Sequence, residues 1–144
     1  MRKEEIFDLL NSNLAFHLAT VENGEPRVRG MMLYKADETG IVFHTGYFKN
    51  VYKQIITNPN VQMCFNDAVT DTQVRVRGVL EEVMDTDLKD EISNHPTRAF
   101  LKKLRDNSTI EEFYNTIRVF RMKNGIANIW TFDTDLAPKK DILL

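Results

Sequence analysis

The stretch IVFHTGYFKNVYKQIITNPNV, residues 41–61, decides both the local fold of this chain and the place where a ligand would bind. A short apolar strand ends at Thr45, and a helix begins at about Lys49 and Asn50. The free N–H groups of a first helical turn, its positive dipole end, the Thr45 hydroxyl and the ammonium groups of Lys49 and Lys53 would converge on one anionic point. The pattern therefore predicts a phosphate site, and a nucleotide-type cofactor to fill it.

The same junction also has a purely structural interpretation. Thr or Gly before a helix is ordinary capping chemistry. Lysines on a helix surface usually face water and bind nothing. The stretch alone leaves both interpretations open, so the surrounding sequence has to decide between them.

Strands separated by tight turns precede this stretch. Leu14, Phe16 and Leu18 alternate with smaller or polar residues at positions 15, 17 and 19, and the pair Asn23–Gly24 is the strongest short-range hairpin signal. A second strand, from Arg27 to about Tyr34, would pair back on the first. Apolar residues at helical spacing within residues 3–11 predict a short N-terminal helix.

More strands and one helical segment follow the stretch. Asn58 and Pro59 would stop the lysine-bearing helix. Residues 85–115 change to helical apolar spacing, with a break at His95–Pro96. The remaining strands are predicted at residues 61–66, 72–83, 116–122 and 126–132.

These elements predict one mainly β domain with flanking α-helices, over residues 1–144. Six or seven short strands joined by tight turns are typical of an antiparallel β-barrel. An N-terminal helix and a helical insertion near residues 86–115 would pack against it. A doubly wound parallel sheet is disfavoured because helices do not alternate regularly with strands. The chain also contains neither a GxGxxG nor a Walker-type phosphate loop.

Composition excludes several classes of partner. Nineteen basic residues against twenty-one acidic ones give a formal charge of -2, so we expect no nucleic-acid partner. No apolar run approaches the roughly 18 residues of a membrane span, and the charged N-terminus is unlike a secretory signal, so we expect no membrane partner. The single cysteine, Cys64, is predicted to be a buried apolar residue in a reducing, cytoplasmic compartment.

We predict no metal site. His17, His44 and His95 are scattered along the chain, without HExxH or paired-cysteine spacing. His44 has two interpretations. It would either contact the ligand beside Thr45 and titrate near neutral pH, or be a structural histidine whose hydrogen bonds are satisfied.

Two pairs of arginines lie on predicted strands. Arg27 and Arg29 share a face of one strand, and Arg75 and Arg77 share a face of another, because residues two apart point the same way. All four would line an anionic cleft, or they would solvate the outer face of the sheet and pair with acidic neighbours. Of the four, Arg29 is the favoured cofactor residue.

The order of several short motifs resembles that of a known family. The motifs are GEPRVR from Gly24 to Arg29, FHT from Phe43 to Thr45, the lysine-rich helix, NPNV from Asn58 to Val61, and IWTF from Ile129 to Phe132. In this order the chain resembles the pyridoxamine 5'-phosphate oxidase-like family, the FMN-binding split barrels. The resemblance covers nearly the whole chain and implies a split β-barrel.

The resemblance also implies a cofactor and an assembly. FMN would lie in a cleft at a homodimer interface, with two equivalent sites. Trp130 would close the site from the partner's C-terminal strand, although core packing or a plain dimer contact is an alternative role for it. The other implied cofactor residues are Arg29, Gly30 and Met31 along the ring, His44 beside them, Thr45, Lys49 and Asn50 at the phosphate, and Lys53 and Gln54 one turn further on.

The implied function is that of an FMN-dependent oxidoreductase acting on a small-molecule redox substrate, with a reduced nicotinamide nucleotide as a candidate electron donor. Pyridoxamine phosphate oxidase itself is not expected, since that enzyme grips a second phosphate and the tail DTDLAPKKDILL offers only Lys139 and Lys140. The alternative is a non-catalytic module that uses the same dimeric barrel to bind or sense flavin or haem.

Overall fold

The computed structural model describes all 144 residues and contains eight strands and five α-helices. The strands are β1 (Ala15–Glu22), β2 (Glu25–Asp37), β3 (Gly40–Gly46), β4 (Asn60–Asp67), β5 (Thr72–Val83), β6 (Ile117–Met122), β7 (Ile126–Trp130) and β8 (Ile142–Leu143). The helices are α1 (Lys3–Ser12), α2 (Asn50–Thr57), α3 (Thr86–Asn94), α4 (Ala99–Asp106) and α5 (Ile110–Thr116). Two short 3₁₀ turns cover Pro96–Arg98 and Phe132–Thr134.

Six of the strands close into an antiparallel barrel in the order β4-β1-β2-β3-β6-β5, with β5 pairing back onto β4. The other edge of β5 pairs with two different strands. Residues 73–77 pair with β7 and residues 80–83 pair with β6, so the barrel is split at this edge. The predicted mainly β barrel with a helical insertion is therefore confirmed, with two strands added outside the closed ring. The last of them, the two-residue β8, was not predicted.

The hairpin between β1 and β2 fixes which side chains face the interior. Asn23 and Gly24 both have positive φ, 53° and 77°, as a two-residue turn of this kind requires. The resulting register places Arg29 opposite Leu18, which is fully buried inside the barrel, and Gly30 opposite the exposed His17. Arg29 therefore points into the barrel and Gly30 points out of it.

Two apolar cores hold the fold. A cluster of 22 buried residues fills the barrel and includes residues of α1 and α2 that close its ends. A second cluster of seven lies between the outer faces of β3 and β6 and the helices α3 to α5, with Val42, Leu101 and Phe113 among its members. The helical insertion therefore packs firmly on the outside of the barrel.

The structure also tests the predictions for Cys64 and for membrane-spanning helices. Cys64 lies on the outer face of β4 and is partly exposed, so its predicted full burial is wrong; partial burial still raises the pKa of its thiol. None of the helices is long and apolar enough to span a membrane.

Candidate functional site at the β3–α2 junction

A pocket of about 770 Å³ lies between the outer face of the barrel and the helical insertion. This volume is typical of sites that bind small molecules. Its floor includes Ala15 and His17 from β1 and Gly30 and Met32 from β2. The β3–α2 junction and the insertion supply its other walls. No Asp or Glu lines it, so the pocket suits an anionic ligand.

The junction leaves a buried hydroxyl without a partner. Thr45, the penultimate residue of β3, lines the pocket and is 5% exposed. Its Oγ1 is buried and makes no hydrogen bond within the protein. Because buried polar atoms are nearly always paired, an unpaired one in a residue that lines a cavity indicates a missing partner. A ligand oxygen would supply that partner.

The start of α2 lies beside this hydroxyl. Lys49 is the N-cap residue, lines the pocket and makes no side-chain capping hydrogen bond. The first-turn amides of α2 therefore receive no help from a capping side chain. An exposed ammonium group, a helix N-terminus and the unpaired Thr45 hydroxyl thus meet at one end of the pocket. This donor set fits a phosphate group.

His44 lies between this junction and the insertion. Its Nε2 accepts a hydrogen bond of 3.0 Å from Nε of Arg98, and its ring lies 6.2 Å from that of Phe100. Because a guanidinium can only donate, the proton of the neutral ring must lie on Nδ1. Burial, with the charges of Arg98 and Lys49, lowers the pKa of His44 to about 4. At neutral pH the residue is therefore an uncharged donor through Nδ1.

Arg98 holds the insertion against the barrel. It is 1% exposed, and its Nη2 donates to the carbonyl oxygen of Leu33 at 2.6 Å. Its Nη1 donates to the hydroxyl of Thr97 at 2.9 Å. Burial lowers the pKa of Arg98. Together with Phe100 and Leu104, which also line the pocket, this residue forms the outer wall of the site.

Sequence reasoning missed this outer wall. The prediction recognised residues 85–115 as helical but assigned none of them to the site. Arg98 and His44 are 54 residues apart and share no motif, so no local signal connects them. Nothing in the sequence distinguishes Arg98 from the other charged residues of this helical segment.

Arg29 and Gln54, both predicted to belong to the cofactor site, lie in a second polar group away from the pocket. Arg29 donates from Nη1 to the hydroxyl of Thr20 at 2.8 Å and from Nη2 to Oε1 of Gln54. The Thr20 hydroxyl donates to the same Gln54 oxygen at 2.6 Å, and Nε2 of Gln54 donates to Glu22 at 2.8 Å. These four side chains satisfy one another between the barrel and α2.

The remaining predicted site residues divide into two groups. Gly30 and Met31 line the pocket, as do His44, Thr45 and Lys49. Asn50 and Lys53 are exposed on α2 and do not line it. Trp130 is partly exposed outside it, donates from Nε1 to Asp135 at 2.6 Å and packs edge-on against Phe132. A role for Trp130 in a partner's site remains a prediction.

Three of the four predicted arginines are engaged inside the chain. Arg27 pairs with Glu25 at 3.0 Å, and Arg77 pairs with Asp141 at 2.8 Å. Arg29 is held by Thr20 and Gln54, as described above. Arg75 alone is left, and its Nε is buried without a hydrogen-bond partner.

The sequence itself matches a family model. The model described as pyridoxamine 5'-phosphate oxidase matches residues 3–119, which is more than half of the chain. The chain belongs to the pyridoxamine 5'-phosphate oxidase family. The matched region includes the first five strands of the closed barrel and the start of β6, together with the β3–α2 junction and the outer wall of the pocket.

Curated members of the pyridoxamine 5'-phosphate oxidase family match over part of their length. The pyridoxine/pyridoxamine 5'-phosphate oxidase of Brucella anthropi is 41% identical over 78 residues, which are 54% of this chain and 38% of that protein. The chain thus spans about two-fifths of the length of this relative.

Solved structures are similar over nearly the whole chain. A NimC/NimA family protein from Clostridium acetobutylicum has a TM-score of 0.76 at 19% identity, with 98% of this chain and 92% of that chain covered. A pyridoxamine 5'-phosphate oxidase-related, FMN-binding protein from Nostoc punctiforme has a TM-score of 0.71 at 14% identity, with 99% and 95% covered. At these identities the similarity establishes the shared fold.

Proposed function

We propose that this protein binds FMN in the pocket, with the phosphate at the β3–α2 junction, and works as a flavin-dependent oxidoreductase. The observation that carries the proposal is the Thr45 hydroxyl, which is buried and unpaired in a residue that lines the pocket. The name of the Nostoc punctiforme relative, which includes FMN binding, agrees with this choice of cofactor.

The charges around the junction suit a phosphate. Lys49 contributes a full positive charge, and the α2 N-terminus contributes a partial one through its aligned peptide dipoles. The pocket lining contains no carboxylate that would repel the ligand. Asn50 and Lys53, on the exposed side of α2, would act on the phosphate through their dipole and charge rather than by lining the pocket.

The flat part of the cofactor would lie along β2. Gly30 is exposed, and nothing lies within 4 Å of the position that a Cβ would take there, so a ring can approach the backbone closely. Met31 and Met32 flank it, and Phe100 and Leu104 face it from the insertion. These apolar side chains would exclude water from the ring.

Bound flavin would supply hydride and electron transfer, and the chain would supply position and electrostatics. His44 offers an Nδ1–H that stays uncharged at neutral pH, because its pKa is about 4. It would orient a ligand by donating a hydrogen bond, with no exchange of its own proton. The reacting partner would be a small redox substrate, with a reduced nicotinamide nucleotide as the candidate electron donor.

The active form would be a homodimer with two interface sites. In one chain the pocket floor at Gly30 and Met32 is open to solvent, with Met32 48% exposed. A second copy would cover this opening and could bring its Trp130 to the ligand. A site that includes the partner's Trp130 would be complete only in the dimer.

We do not extend the substrate of the Brucella oxidases to this protein. The segment DTDLAPKKDILL carries Lys139 and Lys140 as its only basic residues, and both are exposed. A second phosphate on the substrate would lack cationic partners there. Pyridoxamine 5'-phosphate should therefore not be turned over at a measurable rate.

The direct test is a titration of the purified protein with FMN, followed by flavin fluorescence and absorbance. We expect stoichiometric quenching, and reduction of the bound flavin by a reduced nicotinamide nucleotide. Flavin that binds but is neither reduced nor reoxidised would favour a non-catalytic binding module. Failure of the protein to bind FMN would overturn the proposal. A Soret band after addition of haem would show that the ligand is haem.

A further inference from the structure

Arg75 has no role in the site of its own chain and no partner for its charge. It lies on the outer face of β5, half-buried, with its Nε buried and unpaired. Its three counterparts, Arg27, Arg29 and Arg77, all find acceptors within the chain. A half-buried guanidinium without an acceptor is costly, so an acceptor from outside the chain is expected.

The sheet register connects Arg75 to the pocket floor. Gly30 is opposite His17, His17 is opposite Cys64, and Cys64 is opposite Arg75. These four residues form one row across the outer face of the barrel, which we call the arginine row. With neighbouring strands about 4.8 Å apart, Arg75 lies about 14 Å from Gly30 along the row. It does not line the pocket of its own chain.

The face around the arginine row is suited to a second copy of this chain. Val28 and Met32 beside it are 69% and 48% exposed, which is unusual for apolar side chains so close together on a free surface. The pocket opens on the same face at His17 and Gly30. In a two-fold dimer the row of one protomer would lie over the face of the other.

A second copy alone would not neutralise Arg75. The outward-facing residues of β1, β2, β4 and β5 along this row and the two rows beside it include no Asp or Glu. The carboxylate of Asp141, from the C-terminal segment, is already held by Arg77. A ligand bound at this face would supply the acceptor.

The pocket of one chain offers a phosphate few charged donors that are not already hydrogen-bonded. A phosphate monoester carries about -1.5 to -2 charges at neutral pH. Lys49 supplies one positive charge and the α2 N-terminus about half of one. Arg98 lines the same pocket, but its N–H groups already donate hydrogen bonds to His44, Thr97 and Leu33. One further guanidinium would add free donors in a geometry that is well shaped for a phosphate.

Building on the proposed function, we infer that Arg75 of each protomer reaches across the dimer face and binds the FMN phosphate held at the other protomer's β3–α2 junction. The site is then composite. Thr45, Lys49 and the α2 amides come from one chain, and the guanidinium comes from its partner.

Comparison of FMN with riboflavin tests the inference, because the two differ only in the phosphate. Arg75→Gln should weaken FMN binding by at least about tenfold and leave riboflavin binding unchanged. Arg75→Lys should retain much of the affinity, since it keeps the charge. Arg77→Gln, two residues along the same face, is the matched control and should change neither ligand. Light scattering on each variant checks that the dimer persists.

Mixed dimers test whether Arg75 acts between chains. Arg75→Gln protein and Lys49→Glu protein should each bind FMN poorly alone. After subunit exchange, the mixed dimer contains one complete site, made of the Lys49 of the first chain and the Arg75 of the second. We expect FMN binding to return at about one site in two of the mixed dimers, which is about one site in four of the whole sample after random exchange of equal amounts. Without recovery, Arg75 acts within its own chain or not at all, and the inference is wrong.

The two proposals fail in different ways. If wild-type protein binds no FMN, the proposed function falls and this inference falls with it. If wild-type protein binds FMN but Arg75→Gln binds it equally well, only the inference is overturned. Equal loss of FMN and riboflavin by Arg75→Gln would also overturn it, because the residue would then support the ring or the fold and not the phosphate.

Discussion

Two polar groups on either side of α2 differ in how their hydrogen bonds are satisfied. Between α2 and the barrel, Thr20, Arg29 and Gln54 bond to one another. At the helix N-terminus, the Thr45 hydroxyl is equally buried and bonds to nothing. We call the first the closed network and the second the open junction. Thr20 is 1% exposed and Thr45 5%, so burial alone does not distinguish them.

This difference in hydrogen bonding separates residues that stabilise the fold from residues that are available to bind a ligand. Removing one member of the closed network would leave buried donors unpaired, which costs stability. Removing the Thr45 hydroxyl would leave nothing unpaired in the free protein. We therefore expect variants of the two regions to have opposite effects on stability and on ligand binding.

The largest effect is expected from Gln54→Leu. The substitution removes the acceptor shared by Thr20 and Arg29 and leaves both donors unpaired beside an apolar side chain. We expect a loss of roughly 2–4 kcal/mol in the free energy of unfolding, measured by urea denaturation.

FMN affinity of the folded Gln54→Leu protein should change little. If it falls sharply while stability is retained, Gln54 belongs to the cofactor site and the division between the two regions is wrong. Ile56→Gln, an exposed position on the same helix, is a control for substitution in α2 and should cost little stability.

The next effect concerns His44, which lines the open pocket yet has its Nε2 bonded to Arg98. The unfolded residue takes up a proton near pH 6.5, and the folded one only at about 4. Protons therefore favour the unfolded state, and stability is lost as the pH falls from about 6.5 to about 4. The difference between these pKa values corresponds to roughly 3 kcal/mol.

His44→Gln should remove this part of the pH dependence, because Gln can accept from Arg98 through Oε1 and does not titrate. Urea unfolding of both proteins at pH 7 and pH 4.5 measures it. Equal slopes of stability against pH in the two proteins would show that His44 is not held neutral by the fold.

Much of this molecule could be predicted from its sequence. Alternating strands, the Asn23–Gly24 turn and the change to helical spacing at residue 85 were sufficient for the barrel and its insertion. The β3–α2 junction was predicted because strand, hydroxyl and helix start are adjacent in sequence. A local sequence pattern predicts a structural feature when the interactions that form that feature are also local in sequence.

The rest depends on contacts that a sequence does not display. The resemblance placed Arg29 beside Gly30 in the site, but the pleat of β2 turns them to opposite faces and Arg29 bonds to Gln54, 25 residues away. Arg98 meets His44 across 54 residues. The two-residue β8 is too short to form a pattern.

A smaller effect separates the two lysines of α2. Lys49 lines the pocket and Lys53 does not, although both are exposed. Lys49→Ala should weaken FMN binding by about tenfold, and Lys53→Ala by no more than about twofold, as expected for a charge near and a charge farther from a phosphate. The salt dependence of binding should also fall for Lys49→Ala. Equal losses from both substitutions would mean that the ligand lies further along α2 than proposed.

The most direct test is the FMN dissociation constant of Thr45→Val compared with that of Thr20→Val. The same hydroxyl is replaced by the same methyl group in both variants, once at the open junction and once in the closed network. We expect Thr45→Val to bind FMN about tenfold more weakly with no loss of stability, and Thr20→Val to lose about 1–3 kcal/mol of stability with unchanged affinity. Unchanged FMN affinity in Thr45→Val would contradict the account.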